Sequence, residues 1–158
     1  MPFNTLLLTS LTSKTSFAES GGRVSVEAES GEVVLFFAID TEIARQGLNM
    51  QGSICCDCLV FYAREAEKKK ILCLVELKGS NLKHAVKQIT TTHKHLKEAL
   101  QHSSGRDHLK HVTWKAYIFQ HGQSPKDTIR YKAQLEEAFG KNNVEILRKE
   151  DIGPFLRK

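Results

Sequence analysis

The chain has 158 residues, a formal net charge of +5 and a hydrophobic content of 41%. This size predicts one domain over 1–158 that folds without a disulfide or a structural metal. The apolar runs are too short to cross a bilayer, and the N-terminal segment lacks the early basic residues of a secretory signal. We therefore expect an intracellular protein, cytoplasmic or nucleoid-associated, that has no membrane contact.

Charge is unevenly distributed along the chain. Residues 1–60 carry 3 basic and 7 acidic side chains, whereas residues 61–158 carry 20 basic and 11 acidic ones. The resulting charges of −4 and +9 predict an anionic partner, with a nucleic acid as the first candidate. The alternative is that many of the lysines only solvate helices.

The first half of the chain reads mainly as strands. Residues 1–20 are ambiguous, although the capping-box spacing of Ser16 and Glu19 favours a short helix there. The next pattern predicts a hairpin formed by strands at 23–28 and 32–37, followed by an irregular segment over 40–53. A second hairpin, with a long polar tip, is predicted from strands at 54–62 and 71–77. Because the last two strands are apolar on both faces, we expect them at the centre of a covered sheet.

The second half alternates helices and strands. Residues 81–101 predict a helix whose apolar stripe comprises Leu82, Ala85, Val86, Ile89, Leu96 and Leu100, with His93 filling a gap in it. The pattern then predicts a strand over 112–119 and a helix that begins at Ser124-Pro125 and ends at Gly140. A strand over 144–147 and a basic tail come last. The first helix is long enough for a right-handed crossover, so the fold class is α/β with a mixed sheet flanked by helices.

Three polar residues near the central hairpin point to chemistry. If Tyr62 pairs with Ile71, the same register places Asp57 opposite Glu76, with Cβ atoms about 4.5–5.5 Å apart. Two carboxylates so placed in an apolar sheet favour a divalent cation between them, and oxygen ligands suit Mg²⁺ or Mn²⁺. Lys78 projects from the same face as Glu76 and is suited to orienting a water or stabilising charge on a phosphate.

The residues after Lys78 complete this pattern. Ser80 or Asn81 is suited to capping the following helix, whose N-terminus offers backbone donors to an anion. A metal, a water-activating lysine and a helix end that favours phosphate together indicate metal-assisted phosphodiester hydrolysis. The alternative reading of Glu76 and Lys78 alone is a plain ion pair.

The chain has Asp57, then the VELKG segment with Glu76 and Lys78, and then a helix that carries Gln88. This pattern resembles the PD-(D/E)xK nuclease superfamily. The resemblance implies a restriction-endonuclease-like αβββαβ core over about 16–120, with residues 121–158 appended. It also implies a metal-dependent DNA endonuclease and a homodimer that cuts two strands. An RNA substrate is the less favoured alternative.

The same resemblance assigns roles to individual residues. Asp57, Glu76 and the backbone carbonyl of Leu77 would bind Mg²⁺ or Mn²⁺, and Lys78 would assist the attacking water. Gln88 would be an accessory catalytic residue. Many members take a further carboxylate from the first core helix, and Glu19 would supply it if residues 14–20 form that helix. Glu29 or Glu32 would replace it only if the first hairpin's tip folds toward the site.

Basic residues on the predicted helix are candidates for phosphate contacts. Lys83, Lys87 and His84 follow the proposed site directly, and with Ser80 they would position a nucleic acid without reading its sequence. The pairs His93-x-His95 and His108-x-x-His111 are suggestive of metal binding, but packed or solvated histidines are the favoured reading.

Two alternatives come from other functional classes. The first is a catalytically inactive nucleic-acid-binding or interaction module with the same fold. The second is a protein stabilised by zinc through the cysteine cluster of Cys55, Cys56 and Cys58, with Cys73 further along. For these cysteines, the preferred interpretation is that reduced thiols pack as small apolar side chains.

Overall fold

The computed structural model of the protein describes residues 2–77, 81–102, 111–120 and 125–158. The helices are α1 (Pro2–Thr9), α2 (Glu42–Gly47), α3 (Leu82–Gln101), α4 (Pro125–Phe139) and α5 (Gly153–Arg157). The strands are β1 (Leu11–Ser13), β2 (Ser16–Glu19), β3 (Gly22–Ser25), β4 (Glu32–Ala38), β5 (Cys58–Arg64), β6 (Lys69–Glu76), β7 (Val112–Phe119) and β8 (Val144–Leu147).

Six of these strands form one mixed sheet in the order β1-β4-β5-β6-β7-β8. The pairings from β1 to β6 are antiparallel, whereas β6–β7 and β7–β8 are parallel. β5 and β6 occupy the centre, as their two-sided apolar pattern predicts, because both of their faces are covered. The expected α/β class with a mixed sheet and flanking helices is confirmed.

The register of the central hairpin is also confirmed. Tyr62 lies opposite Ile71, and the pairing continues without a bulge to Cys58 opposite Val75. The turn is tighter than the predicted loop over 63–70, because a 3₁₀ turn at Glu65–Glu67 and a left-handed Lys68 (φ 50°) reverse the chain within four residues.

The sheet has a separate apolar core on each face. α3 and α4 cover one face, where alternate β6 side chains such as Leu72 and Leu74 pack against α3. The other face, with Cys73 and Val75, is covered by β3 and by α5. Side chains alternate between faces along a strand, so Glu76 lies on the α3 side with Leu74.

The predicted crossover helix is confirmed almost residue for residue. The six apolar positions of its stripe and His93 are all buried, and the Asn81 side chain caps it by accepting a hydrogen bond from the His84 N–H at 3.1 Å. Gly140 follows α4 with a φ of +89°, the left-handed conformation that ends a helix. Among the described helices, none has the length and apolar character needed to span a membrane.

The N-terminal predictions are partly wrong. Residues 16–19 form strand β2 and not a helix, because Ser20 and Gly21 both have positive φ and reverse the chain into a tight hairpin with β3. The predicted pairing of 23–28 with 32–37 is therefore absent. β3 pairs with β2 in a separate two-stranded sheet, and β4 pairs with β1 and β5.

The segment predicted to be irregular contains a helix, and the basic tail contains another. Within 40–53, Thr41 caps α2 by accepting from the Ala44 N–H at 3.2 Å, and Arg45 pairs with Asp40. The basic tail ends in α5, which packs Phe155 and Leu156 into the second core.

Candidate metal and nucleic-acid site

Asp57 lies at the entrance to β5 and is only 2% exposed. Its Oδ2 accepts a hydrogen bond from the Leu77 N–H at 2.8 Å, and its own carbonyl accepts one from the Ile39 N–H at 3.2 Å. Backbone donors on two neighbouring strands thus fix both the main chain and the carboxylate. A carboxylate held by a backbone N–H in this way has a defined position before any ligand arrives.

Glu76 ends β6 and is 1% exposed. Continuing the β5–β6 register by one residue sets Asp57 opposite Glu76, and the hydrogen bond from Leu77 to Asp57 agrees with that placement. The structure therefore brings these two sequence-predicted residues together at one end of the central strands. Desolvation and mutual repulsion both disfavour two neighbouring carboxylates, and a cation offsets both.

α3 holds the segment that leads into Asp57. The Gln88 side-chain amide donates to the Cys55 carbonyl at 3.0 Å, and the Thr92 hydroxyl accepts from the Cys56 N–H at 3.0 Å. Thr92 in turn donates to the Gln88 carbonyl one helical turn earlier, at 2.8 Å. Gln88 therefore acts here as a positioning residue for the loop that carries Asp57.

The cysteines around Asp57 are buried, free thiols. Burial raises the pKa of Cys55 to about 11 and that of Cys73 to about 12, and raises the pKa of Cys56 and Cys58 well above the ordinary range. These thiols are neutral at neutral pH and behave as small apolar groups, which agrees with their preferred interpretation. Cys55 and Cys56 lie in the core on the α3 side of the sheet, whereas Cys58 and Cys73 lie in the core on the other side. The four thiols therefore do not converge on one zinc ion, which needs about four ligands around it.

The β2–β3 hairpin covers Leu77. A Cβ on Gly22 would lie 2.9 Å from the Leu77 carbonyl oxygen and 3.0 Å from the Leu77 Cβ, so the hairpin reaches this position only with glycine there. Glu19 pairs with Gly22 across the hairpin, and its charge contributes to the raised pKa of Cys58. The hairpin thus brings Glu19 to the same end of the sheet as Asp57.

The oxygen donors available at this end suit a hard cation. The carboxylates of Asp57 and Glu76 suit Mg²⁺, which keeps several waters and commonly binds proteins through one or two carboxylates. The Leu77 carbonyl oxygen lies against Gly22 of the β2–β3 hairpin. No group of three or more histidine, cysteine or acidic side chains in the described ranges is arranged to hold a metal ion.

Other predicted residues fall in different places. Lys78 and Ser80 lie outside the described residues, as does His108. Glu32 pairs with Arg64 at the opposite end of β4, and Glu29 forms ion pairs with Arg64 and Arg157. The suggestion that either glutamate replaces Glu19 is therefore wrong, because the strand direction carries them away from Asp57.

The basic residues of α3 are on its solvent side. Lys83, His84 and Lys87 are all exposed in the first six residues of the helix. His93 instead packs between Phe139, with ring centroids 4.3 Å apart, and Trp114, at 4.8 Å, so its predicted packing role is confirmed.

Sequence reasoning missed the roles of two residues. Thr92 is fully buried among the mostly apolar residues of the stripe. Its polar side chain, one helical turn after Gln88, is the sequence signal that indicates this role. Gly22 had no comparable signal, because its neighbour Gly21 already explains the turn and the contact with Leu77 spans 55 residues of sequence.

No protein-family model matches the sequence, and neither a curated protein nor a solved structure matches the chain.

Proposed function

We propose that the protein is a Mg²⁺- or Mn²⁺-dependent nuclease that hydrolyses phosphodiester bonds in DNA, as an endonuclease with a restriction-endonuclease-like core. One observation carries the proposal. Asp57 and Glu76 are buried carboxylates at opposed register positions on the central strands, and a backbone N–H of Leu77 orients one of them. A purely structural role gives little reason to bury two neighbouring carboxylates, whereas a cation site requires them.

The element order supports the same reading. β4, β5 and β6 form an antiparallel meander, after which α3 crosses over to the parallel strand β7. This corresponds to the βββαβ part of the proposed core, although α2 interrupts it between β4 and β5. The first helix of the core would be α1, which lies before residue 16.

In this proposal each residue has a defined task. Asp57 and Glu76, with the Leu77 carbonyl, hold the metal, and Gln88 and Thr92 keep the Asp57 segment in place through the Cys55 carbonyl and the Cys56 N–H. Lys78 orients the attacking water and stabilises charge on the phosphate. The bound metal polarises the phosphodiester and lowers the pKa of a bound water.

Site variants test the proposal directly. Asp57→Asn, Glu76→Gln and Lys78→Ala should each abolish Mn²⁺-dependent cleavage, measured on duplex, single-stranded and branched DNA and on RNA. The first two should also lose the rise in melting temperature that Mn²⁺ causes in the wild type, because a ligand that binds only the folded state stabilises it. Glu145→Gln, a surface carboxylate paired with Lys158, is the matched control and should retain both.

Circular dichroism of each variant separates loss of activity from loss of fold. Folded Asp57→Asn and Glu76→Gln proteins that cleave as well as the wild type would refute the assignment. Cleavage that persists in excess EDTA would refute the metal dependence.

A second candidate function is a nucleic-acid-binding module without catalysis. The absence of a third acidic, histidine or cysteine ligand among the described residues favours it. It predicts salt-dependent DNA binding, no cleavage in Mg²⁺ or Mn²⁺, and no metal-induced rise in melting temperature.

A further inference from the structure

Four lysines form a straight line on the solvent side of α3. Lys83, Lys87, Lys94 and Lys97, which we call the α3 lysine track, are all exposed. At 3.6 residues per turn they fall within an arc of about 80° and extend over about 21 Å of helix. They therefore form one charged ridge and are not scattered around the helix.

The track is not explained by the stability of α3. Glu98 is the only acidic residue on the helix, the first turn has no acidic residue, and the last turn has no basic one. In the described part of the chain none of the four lysines takes part in an ion pair. A helix that only needs solvation usually pairs Glu with Lys at i and i+4 and places acids near its N-terminus.

The helix is instead held by its opposite side. Eight of its residues are buried, including His93 and Thr92, and they pack on the sheet and on α4. Lys83 near the positive end of the helix dipole costs a little stability and receives no compensation within the described residues. A lysine placed against the helix dipole with no structural benefit is typical of a binding surface.

The form of the track favours a rigid, linear polyanion. Single strands are usually bound by aromatic side chains on which bases stack. α3 contains no Phe, Tyr or Trp, and none of the exposed large hydrophobic residues in the described ranges is aromatic. A duplex presents one phosphate per about 3.4 Å of its axis on each strand, so the axial length of the track corresponds to about six phosphates per strand, part of which face the track across a groove.

We propose that the α3 lysine track binds the phosphate backbone of duplex DNA and carries the duplex away from the end of the sheet where Asp57 and Glu76 lie. Gln88, which follows Lys87 on α3, donates its side-chain amide to the Cys55 carbonyl at 3.0 Å, so the start of the track lies beside the segment that carries Asp57. The inference extends the proposed function by naming a duplex as the substrate and Lys94 and Lys97 as contacts, yet binding by the track does not require cleavage.

The salt dependence of binding tests the track quantitatively. The track variant combines Lys83→Gln, Lys87→Gln, Lys94→Gln and Lys97→Gln. Fluorescence anisotropy with a 20-base-pair duplex in EDTA gives its affinity over a series of NaCl concentrations. Each lost phosphate contact lowers the slope of log K against log [salt] by about 0.9, so the slope should fall by about 3.6. The control carries Lys→Gln at four other exposed lysines, namely Lys14, Lys70, Lys141 and Lys149, and should change the slope by less than about 1.

Several outcomes would overturn the inference. An unchanged slope in the folded track variant, or an equal fall in the control, would show that the track is not the contact surface. Tighter binding of a single strand than of the duplex would exclude the duplex as the partner. If polyglutamate displaces the duplex as well as unlabelled duplex does, the surface binds any polyanion and the inference fails.

The inference and the proposed function fail separately. Wild-type protein that binds duplex through the track but cleaves no substrate in Mn²⁺ would refute the nuclease and leave the track intact. Wild-type protein that cleaves, with a track variant whose slope is unchanged, would refute the track alone.

Discussion

Among the described residues, six polar or charged residues are buried over main chain and side chain together: Ser10, Asp57, Glu76, Thr92, His93 and Lys115. Lys115 donates to the Phe155 carbonyl at 2.6 Å and lies 4.6 Å above the Phe155 ring, so it anchors α5. Thr92 anchors the segment before Asp57. Each of these two residues therefore joins elements that are distant in sequence, which apolar packing alone does less specifically.

His93 should make stability depend on pH. Burial, with a smaller effect of Lys97, lowers its pKa to about 4, whereas an unfolded histidine titrates near 6.5. The unfolded state therefore binds a proton first, so this contribution is complete above about pH 6.5 and is lost as pH falls toward 4. We expect a loss of up to about 3 kcal/mol in the free energy of unfolding over that interval, measured by urea denaturation.

Two variants isolate this effect. His93→Leu should flatten the dependence between pH 6.5 and 4, because leucine fills the same place in the apolar stripe without titrating. The exposed His84→Gln should leave the dependence as in the wild type. Identical pH profiles for wild type and His93→Leu would show that another group is responsible.

At the scale of elements, the sequence predicted element type and strand register correctly where the hydrophobic pattern extends over many residues or joins strands that are close in the chain. The stripe of α3 repeats over 20 residues, and the apolar runs of β5 and β6 flank a single turn, so both element type and register could be inferred. The pairing of β3 with β2 could not be inferred in the same way. Gly31 also has a turn conformation, and only the packing of Gly22 on Leu77 favours one hairpin over the other.

In the candidate site too, contacts between residues near in the chain could be predicted, whereas contacts between distant elements could not. Asp57 and Glu76 could be brought together from register arithmetic alone, because β5 and β6 are joined by a short turn. Thr92 and Gly22 could not, because their contacts with Cys56 and Leu77 cross 36 and 55 residues of sequence. Contacts of that separation depend on the packing of whole elements and leave no periodic signal in the chain.

Gly22 should be intolerant of even one added methyl group. In Gly22→Ala the new Cβ would meet a backbone oxygen of Leu77, so the hairpin or the end of β6 must move. We expect a loss of about 1–3 kcal/mol in unfolding free energy, together with a smaller rise in melting temperature on adding Mn²⁺.

The neighbouring glycine provides the control for this variant. Gly21 has a φ of +83° and no atom within 4 Å of a Cβ position, so it needs a left-handed conformation but has ample space. Asparagine tolerates that conformation, and Gly21→Asn should therefore leave the Mn²⁺ response unchanged. A full Mn²⁺ response in Gly22→Ala would mean that the β2–β3 hairpin gives way to the added methyl group and that the metal-binding residues stay in place.

At the scale of the whole molecule, the C-terminal helix closes the second face of the sheet. Lys69 donates to the Arg157 carbonyl at 2.7 Å, and Lys115 donates to the Phe155 carbonyl, so two sheet lysines neutralise the negative end of α5. Arg157 makes two hydrogen bonds of 2.9 Å to Glu32, which also accepts from the Tyr62 hydroxyl at 2.6 Å. The last residues of the chain are thus fastened to β4, β5, β6 and β7.

Glu32 is the centre of this attachment, and its removal should loosen α5. Its side chain is 0% exposed, and the Arg157 guanidinium, with the Tyr62 hydroxyl, holds its pKa at about 2, below the ordinary 4.5. Glu32→Gln leaves the Arg157 charge without its main partner, and we expect a cost of about 2–3 kcal/mol in urea denaturation at pH 7. Glu29→Gln removes a carboxylate that is 54% exposed beside the same arginine and should cost no more than about 0.5 kcal/mol.

The pH dependence identifies the cause of that cost. A carboxylate with a lowered folded pKa stabilises the fold above its unfolded pKa of about 4.5 and loses that effect as pH falls toward about 2. The difference between wild type and Glu32→Gln should therefore shrink steadily from pH 4.5 downward. A difference that stays constant over this range would mean that lost packing, and not the ion pair with Arg157, accounts for the weaker attachment of α5.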